Sequence, residues 1–220
     1  MIDSPRTRIC VFAKPPVAGL AKTRLAKDIG AEAAASIATA CLLDTWNTVT
    51  ALSWAEPILA GSEDNTQLRA LAAAKGEFWL QGEGDLGARL QCVFERATVG
   101  GRRTIVIGAD TPGLPIERLV QANALLDGSH AVMGPADDGG FYLLGLTFVA
   151  PELFKGVTWG TSTVLAQMSA RLESCGVPLA LIDRWFDVDR GSDLVRLKAL
   201  LDQGVVSAPV TLGALKDMAR

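Results

Sequence analysis

One histidine, one tyrosine and four cysteines in 220 residues set the first limits. With His130 as the sole imidazole, a multi-histidine zinc centre is excluded and a histidine-based nucleophilic triad is not expected. Cys10, Cys41, Cys92 and Cys175 lie far apart, without a CxxC spacing. They read as small buried hydrophobes of a reduced, cytoplasmic protein, not as a disulfide frame. The apolar runs are too short and interrupted to span a bilayer. The first of them, after Asp3, Arg6 and Arg8, is short, and the N-terminus is not expected to be a signal peptide. Excess charge is scarce too. A net charge of -3 argues against duplex nucleic acid as the main partner, so any anion site must be a local cluster of Lys and Arg. Neither nucleic acid nor membrane is expected as a partner, and oligomeric state is left open.

What the chain does have is apolar content of 49% with 20% charged residues. That balance describes a globular protein with a large core, here expected as one α/β domain over residues 1–220. Arg8 to Ala13 is a nearly continuous apolar run, as in a strand covered on both faces. Further strands are expected at Pro57–Ala60, Glu77–Leu80, Thr104–Asp110, His130–Gly134, Phe141–Leu146 and Leu179–Ile182. Helices are expected at Ala31–Ala51, Asn65–Lys75, Gly84–Ala97, Pro115–Leu126 (with Pro115 as the first helical residue), Gly160–Ser174 and Leu194–Leu201. This alternation predicts a mostly parallel sheet with helices on both faces.

Two acidic segments stand where buried strands end. Thr104-Ile105-Val106-Ile107-Gly108-Ala109 stops at Asp110, and Leu179-Ala180-Leu181-Ile182 leads on to Asp187-Val188-Asp189. Ligands of open α/β sheets bind outside the carboxyl ends of strands. Two carboxylates brought together there would hold a hard divalent cation, Mg²⁺ or Mn²⁺, together with substrate phosphates. The alternative role for each acid is a helix cap or turn, which Asp fills often. After the first strand comes Lys14-Pro15-Pro16-Val17-Ala18-Gly19-Leu20-Ala21-Lys22-Thr23-Arg24. Lys14, Lys22 and Arg24, with small Gly19 letting backbone approach, could cradle phosphates, although the spacing is not a Walker A motif. Asp137-Asp138-Gly139-Gly140 is a tight turn whose Asp138 could grip or deprotonate an acceptor hydroxyl. Trp159, between glycines, is a candidate for stacking on a ring.

In order, these segments resemble the DUF2064 proteins. Phe12 to Gly19 with Lys22-Thr23-Arg24-Leu25 is similar to that family's opening signature. Gln81 to Leu90, Gly108 to Pro112, Asp138 to Gly145 and Asp187 to Asp189 fit the same family, so the resemblance spans about residues 9 to 198. The family is similar to nucleotide-diphospho-sugar transferases, and some members are labelled glycosyltransferases of arsenosugar biosynthesis. The resemblance implies a Rossmann-like αβα sandwich of the GT-A type. It implies metal binding by Asp110 and Asp189, and a nucleotide surrounded by the first loop and by Gly84, Asp85 and Arg89. Lys14-Pro15-Pro16 departs from the glycine-rich opening of the related nucleotidyltransferases.

The expectation is therefore a metal-dependent transferase with catalytic Lys22, Arg24 and Asp138. Its substrates would be a nucleotide sugar or NTP and a small-molecule acceptor. Glycosyl transfer is the first reading. Nucleotidyl transfer with release of pyrophosphate is the second, and a non-catalytic nucleotide-binding protein the third.

Overall fold

Thr7-Arg8-Ile9-Cys10-Val11-Phe12-Ala13 forms the central strand because both of its faces are apolar. In the computed structural model, which describes residues 6–218, this is β1 (Thr7–Ala13). The other strands are β2 (Ala55–Gly61), β3 (Glu77–Leu80), β4 (Thr104–Gly108), β5 (Ala131–Pro135), β6 (Phe141–Leu146) and β7 (Leu179–Leu181). They make one seven-stranded sheet in the order β3-β2-β1-β4-β6-β5-β7. All expected strands are present. Six point the same way, and β6 alone runs antiparallel to its neighbours β4 and β5.

Side chains alternate across the sheet and feed two cores. Ile9, Val11, Leu59, Ile105 and Ile107 pack with Leu42, Trp46, Leu68 and Leu119 on one face. Those partners come from α2 (Ala31–Thr50), α3 (Thr66–Ala73) and α5 (Ile116–Leu125). On the other face, Cys10, Ile58, Val106 and Met133 pack with Leu90, Phe94, Met168 and Leu172, from α4 (Leu86–Ala97) and α6 (Val164–Ser174). This is the αβα sandwich. A third cluster joins α1 (Thr23–Ile29) and α2 to α7 (Gly191–Asp202) and Ala208 through Leu25, Ile37, Phe186, Val188 and Leu197. α8 (Pro209–Met218) flanks it.

Five points of the helix reading need correction. α1 begins inside what the sequence suggests is loop, and α8 has no counterpart in the sequence reading. α6 starts at Val164, not Gly160, whose φ of +77° belongs to a turn. α7 starts earlier, at Gly191. Pro115 is the residue before the first helical one, at φ −58° and ψ 130°, so its fixed φ serves the entry to α5 and not its first turn. The cysteines also divide. Cys10 and Cys41 are buried, which pushes both thiols up to about 12, whereas Cys92 and Cys175 are exposed. No described helix is long and apolar enough to cross a membrane.

Candidate functional site

β1 and β4 are adjacent and parallel, with Phe12 opposite Gly108. Their loops therefore leave the same edge of the sheet, side by side. The chain after β4 is bonded on both sides: Ala109 N donates to Phe12 O at 3.0 Å, and Val188 N donates to Asp110 O at 3.0 Å. That second bond carries the Asp187–Asp189 segment to Asp110 from far along the sequence. Gly108 makes room for the acid, since a Cβ there would stand 2.4 Å from Asp110 Oδ1.

Lys22 joins the two acids. Its Nζ donates to Asp110 Oδ2 at 3.1 Å and to Asp189 Oδ1 at 3.2 Å. The two carboxylates are thus neighbours on either side of one ammonium, close enough to share a cation. Arg24 adds a longer contact, 3.8 Å from Nη1 to Asp189 Oδ2. The lysine side chain is 8% exposed, against 39% for Asp110 and 40% for Asp189. The acids therefore keep an open side while the ammonium sits behind them. Burial works against the charge on Lys22, but Asp110 and Asp189 more than offset it and hold its pKa above the ordinary lysine range. Lys22 takes a left-handed backbone, φ 48° and ψ 46°, uncommon for a residue with a Cβ.

Neither acid is a helix cap. At the start of α7 that role falls to Asp193, whose Oδ2 accepts from Asp189 N at 2.9 Å and Arg190 N at 2.7 Å. The Asp189 carboxylate is left for Lys22. Asp28 of α1 accepts from Gly191 N at 2.8 Å, tying the helix that follows Lys22 to the helix that follows Asp189.

Asp187 is a site residue that the sequence reading passed over. Burial, then the charges of Asp110 and Asp189, push its carboxyl up to about 8, with Lys22 pulling the other way and Asp138 adding to the rise. A signal for it exists in the sequence. In an extended segment residues i and i+2 share a face, so Asp187 and Asp189 point alike while Val188, fully buried, faces the core. Asp110 and Asp189, each about 40% exposed on the side away from Lys22, are the carboxylate pair that a divalent cation would use. Among the described residues no group of three or more His, Cys, Asp or Glu side chains forms a protein-only cage. Two carboxylates completed by phosphate oxygens and water is an ordinary arrangement for Mg²⁺.

Beside the cluster lies a cleft of about 660 Å³, lined in part by Lys14, Lys22, Arg24, Asp110 and Asp189. Gly84, Asp85 and Arg89 line its other side. Asp85 Oδ1 accepts from Ala88 N at 2.9 Å as the cap of α4, and Arg89 Nε donates to Gly84 O at 3.0 Å. The apolar lining of Phe12, Leu42, Ala38 and Leu86, and the amide of Gln81, were not legible as site residues. Gly19 is not among the lining residues; at φ +81° it turns the loop. Asp138 also lies outside the lining. Its Oδ1 accepts from Gly140 N at 2.9 Å, and it reaches the cluster only through the electrostatics of Asp187. The neighbouring Asp137 is paired with Arg196. Trp159 packs against Phe154 and Phe141 over Gly87, so it belongs to the second core and not to the cleft. His130 bonds Thr147 Oγ1 at 2.9 Å and takes no part in the cluster.

No curated protein matches the chain. Among solved structures, one from Desulfovibrio desulfuricans G20, provisionally named a nucleotide-diphospho-sugar transferase, is 26% identical with a TM-score of 0.85. That match covers 96% of this chain and 94% of that one. A 4-diphosphocytidyl-2C-methyl-D-erythritol synthase matches at 13% identity and TM-score 0.58, over 91% of this chain and 100% of its own. A nucleotidyl transferase from Methanothermobacter follows at 15% and 0.55, over 90% and 99%. At these lower identities the likeness is one of fold. The family model described as "Uncharacterized protein conserved in bacteria (DUF2064)" matches residues 45–161, more than half of the sequence. The chain belongs to the DUF2064 family.

Proposed function

We propose that this protein is a metal-dependent transferase acting on a nucleotide-activated substrate, with glycosyl transfer from a nucleotide sugar as the leading reading. The observation that carries it is Lys22 held between Asp110 and Asp189 at the mouth of the cleft. Two half-exposed carboxylates lining a cavity with Lys14, Arg24 and Arg89 suit a cation–diphosphate pair. The fold shared with nucleotide-sugar and nucleotidyl transferases supports the same reading.

Asp110 and Asp189 would hold Mg²⁺ or Mn²⁺, which supplies positive charge where charge develops on the leaving phosphate. Lys22 and Arg24 lie at the same end of the cleft and present N–H donors to phosphate oxygens. Leu42, Ala38, Phe12 and Leu86 line the cavity with apolar surface, which limits water around a bound donor. Asp138, on the neighbouring turn, is assigned to the acceptor hydroxyl, which it would orient or deprotonate. Nucleotidyl transfer from an NTP is the second reading. The basic residues beside the carboxylates are compatible with it, since they suit a departing pyrophosphate as well as a nucleoside diphosphate.

A thermal-shift panel of NTPs and nucleotide sugars, with and without Mg²⁺, tests the proposal. Ligand at 100 times its Kd stabilises by about 2.7 kcal/mol, or roughly 5–10 °C for a domain of this size. A nucleotide sugar as the strongest Mg²⁺-dependent hit supports glycosyl transfer, and an NTP supports nucleotidyl transfer. Absence of any Mg²⁺-dependent hit refutes both.

A further inference from the structure

We propose that Asp28 is a positioning residue for the cation–phosphate site, and that its hydrogen bond to Gly191 sets the distance at which Lys22 and Asp189 face each other. The inference rests on the metal and phosphate reading above and adds the device that keeps the two sides of that site in register. Lys22 is the residue immediately before α1, and Asp189 stands two residues before α7. The reach from the ammonium to the second carboxylate is therefore fixed by how α1 and α7 are held against each other. Leu25 of α1 shares an apolar cluster with Leu194 and Leu197 of α7. Apolar contact is non-directional and does not fix a register. A hydrogen bond does, because it weakens steeply off its preferred distance and angle. Among the described residues one hydrogen bond joins the two helices, from Gly191 N to Asp28 Oδ2 at 2.8 Å.

Both ends of that bond suit it. A Cβ on Gly191 would stand 3.2 Å from Asp28 Oδ2 and 3.4 Å from Asp28 Cβ, so glycine is what lets the carboxylate come this close. The charge of Asp28 faces the positive end of the α7 dipole, which favours it there. From within α7, Asp193 Oδ2 accepts from Asp189 N at 2.9 Å and Arg190 N at 2.7 Å. Three consecutive amides, those of Asp189, Arg190 and Gly191, are thus held by two carboxylates, one from α7 itself and one from α1. The backbone of Asp189 cannot move away from α1 without breaking one of these bonds. Its side chain, 3.2 Å from Lys22 Nζ, is placed accordingly. Asp28 is not among the residues that line the cleft, so it acts through Gly191 and not by touching a ligand. It is also exposed, so its bond adds little to the stability of the whole fold. Losing Asp28 should therefore harm the site more than the fold.

The test is calorimetric titration of the full chain with inorganic pyrophosphate, in Mg²⁺ and in chelator, alongside the Tm of the metal-free protein. Asp28→Ala should weaken the Mg²⁺-dependent binding about 10-fold, the low end for residues that orient a metal ligand from behind. Its metal-free Tm should fall by no more than about 4 °C, the scale of one exposed hydrogen bond. Asp28→Asn keeps an acceptor oxygen at the same reach and should restore affinity to within about 3-fold, the remainder being the charge lost at a helix end. Gly191→Ala pushes the same two groups apart from the other side and should also weaken binding. Combined with Asp28→Ala its effect should not add, because the oxygen that the new methyl group meets is gone. If Asp28→Ala does not fold, the contrast between Asp28→Asn and Gly191→Ala carries the test. A lower Tm with unchanged affinity would make Asp28 a cap of α7 only and overturn the inference, as would full additivity in the double variant. Wild-type binding matched by Asp28→Ala removes the role of Asp28 and leaves the site reading intact. Failure of the wild-type protein to bind pyrophosphate with Mg²⁺ would overturn both.

Discussion

Lys22 holds a left-handed backbone that costs a non-glycine residue on the order of 1–3 kcal/mol. The arrangement persists because its ammonium separates two carboxylates. Lys22→Ala should therefore lower the Tm of the metal-free protein, while Mg²⁺ raises the Tm of the variant by more than it raises that of wild type. The same variant should bind pyrophosphate less well. Equal Mg²⁺ gains in the two proteins would show that the lysine does not stand in for a cation. Asp110→Asn should leave the fold intact, being nearly isosteric, and abolish the Mg²⁺-dependent part of nucleotide binding, as read by calorimetry with and without chelator. Asp187→Asn should raise the Tm of the metal-free protein by a few degrees, because it removes a carboxyl that burial and two like charges disfavour. A lower Tm would mean that Asp187 is stabilising where it stands. Asp110 and Asp189 could be picked from the sequence because each follows an apolar run. Gln81 could not, because nothing in a glutamine after a short strand says that its amide will line a cleft.

Helix ends carry the next level of order. Asp44, on α2 and 3% exposed, accepts from Val210 N at 3.1 Å and Thr211 N at 2.7 Å, and so caps α8 from another helix. Asp44→Ala should cost about 1–3 kcal/mol by leaving those donors unpaired in a buried place, a loss of roughly 2–4 °C in Tm per kcal/mol. Asp44→Asn should recover much of it, and hydrogen exchange should show the loss of protection concentrated in α8. Protection lost evenly along the chain would refute the capping role. Asp28 performs the same service for α7. The cap from Asp44 explains why α8 escapes a reading of the sequence. α1 has only seven residues, and isolated helices that short are marginal in water. Each is held by partners brought from elsewhere in the chain. The longer α2, α4 and α5 declare themselves by composition and by Asp85 or Pro115 at their starts.

Across the whole molecule, the strands were readable as apolar runs, but their order was not. The reversal of β6 between β4 and β5 leaves no mark in its own residues, because a strand buried on both faces reads the same in either direction. Yet that order decides which loops share an edge. Lys22 reaches Asp110 across 88 positions of sequence and Asp189 across 167. This separation also sets a schedule. As the chain leaves the ribosome, Lys22 and Asp110 emerge before Asp189, and the lysine has one carboxylate partner until the chain has grown on to the second. The three-residue cluster of Lys22, Asp110 and Asp189 therefore closes only after Asp189 has been made, however early its first two members meet.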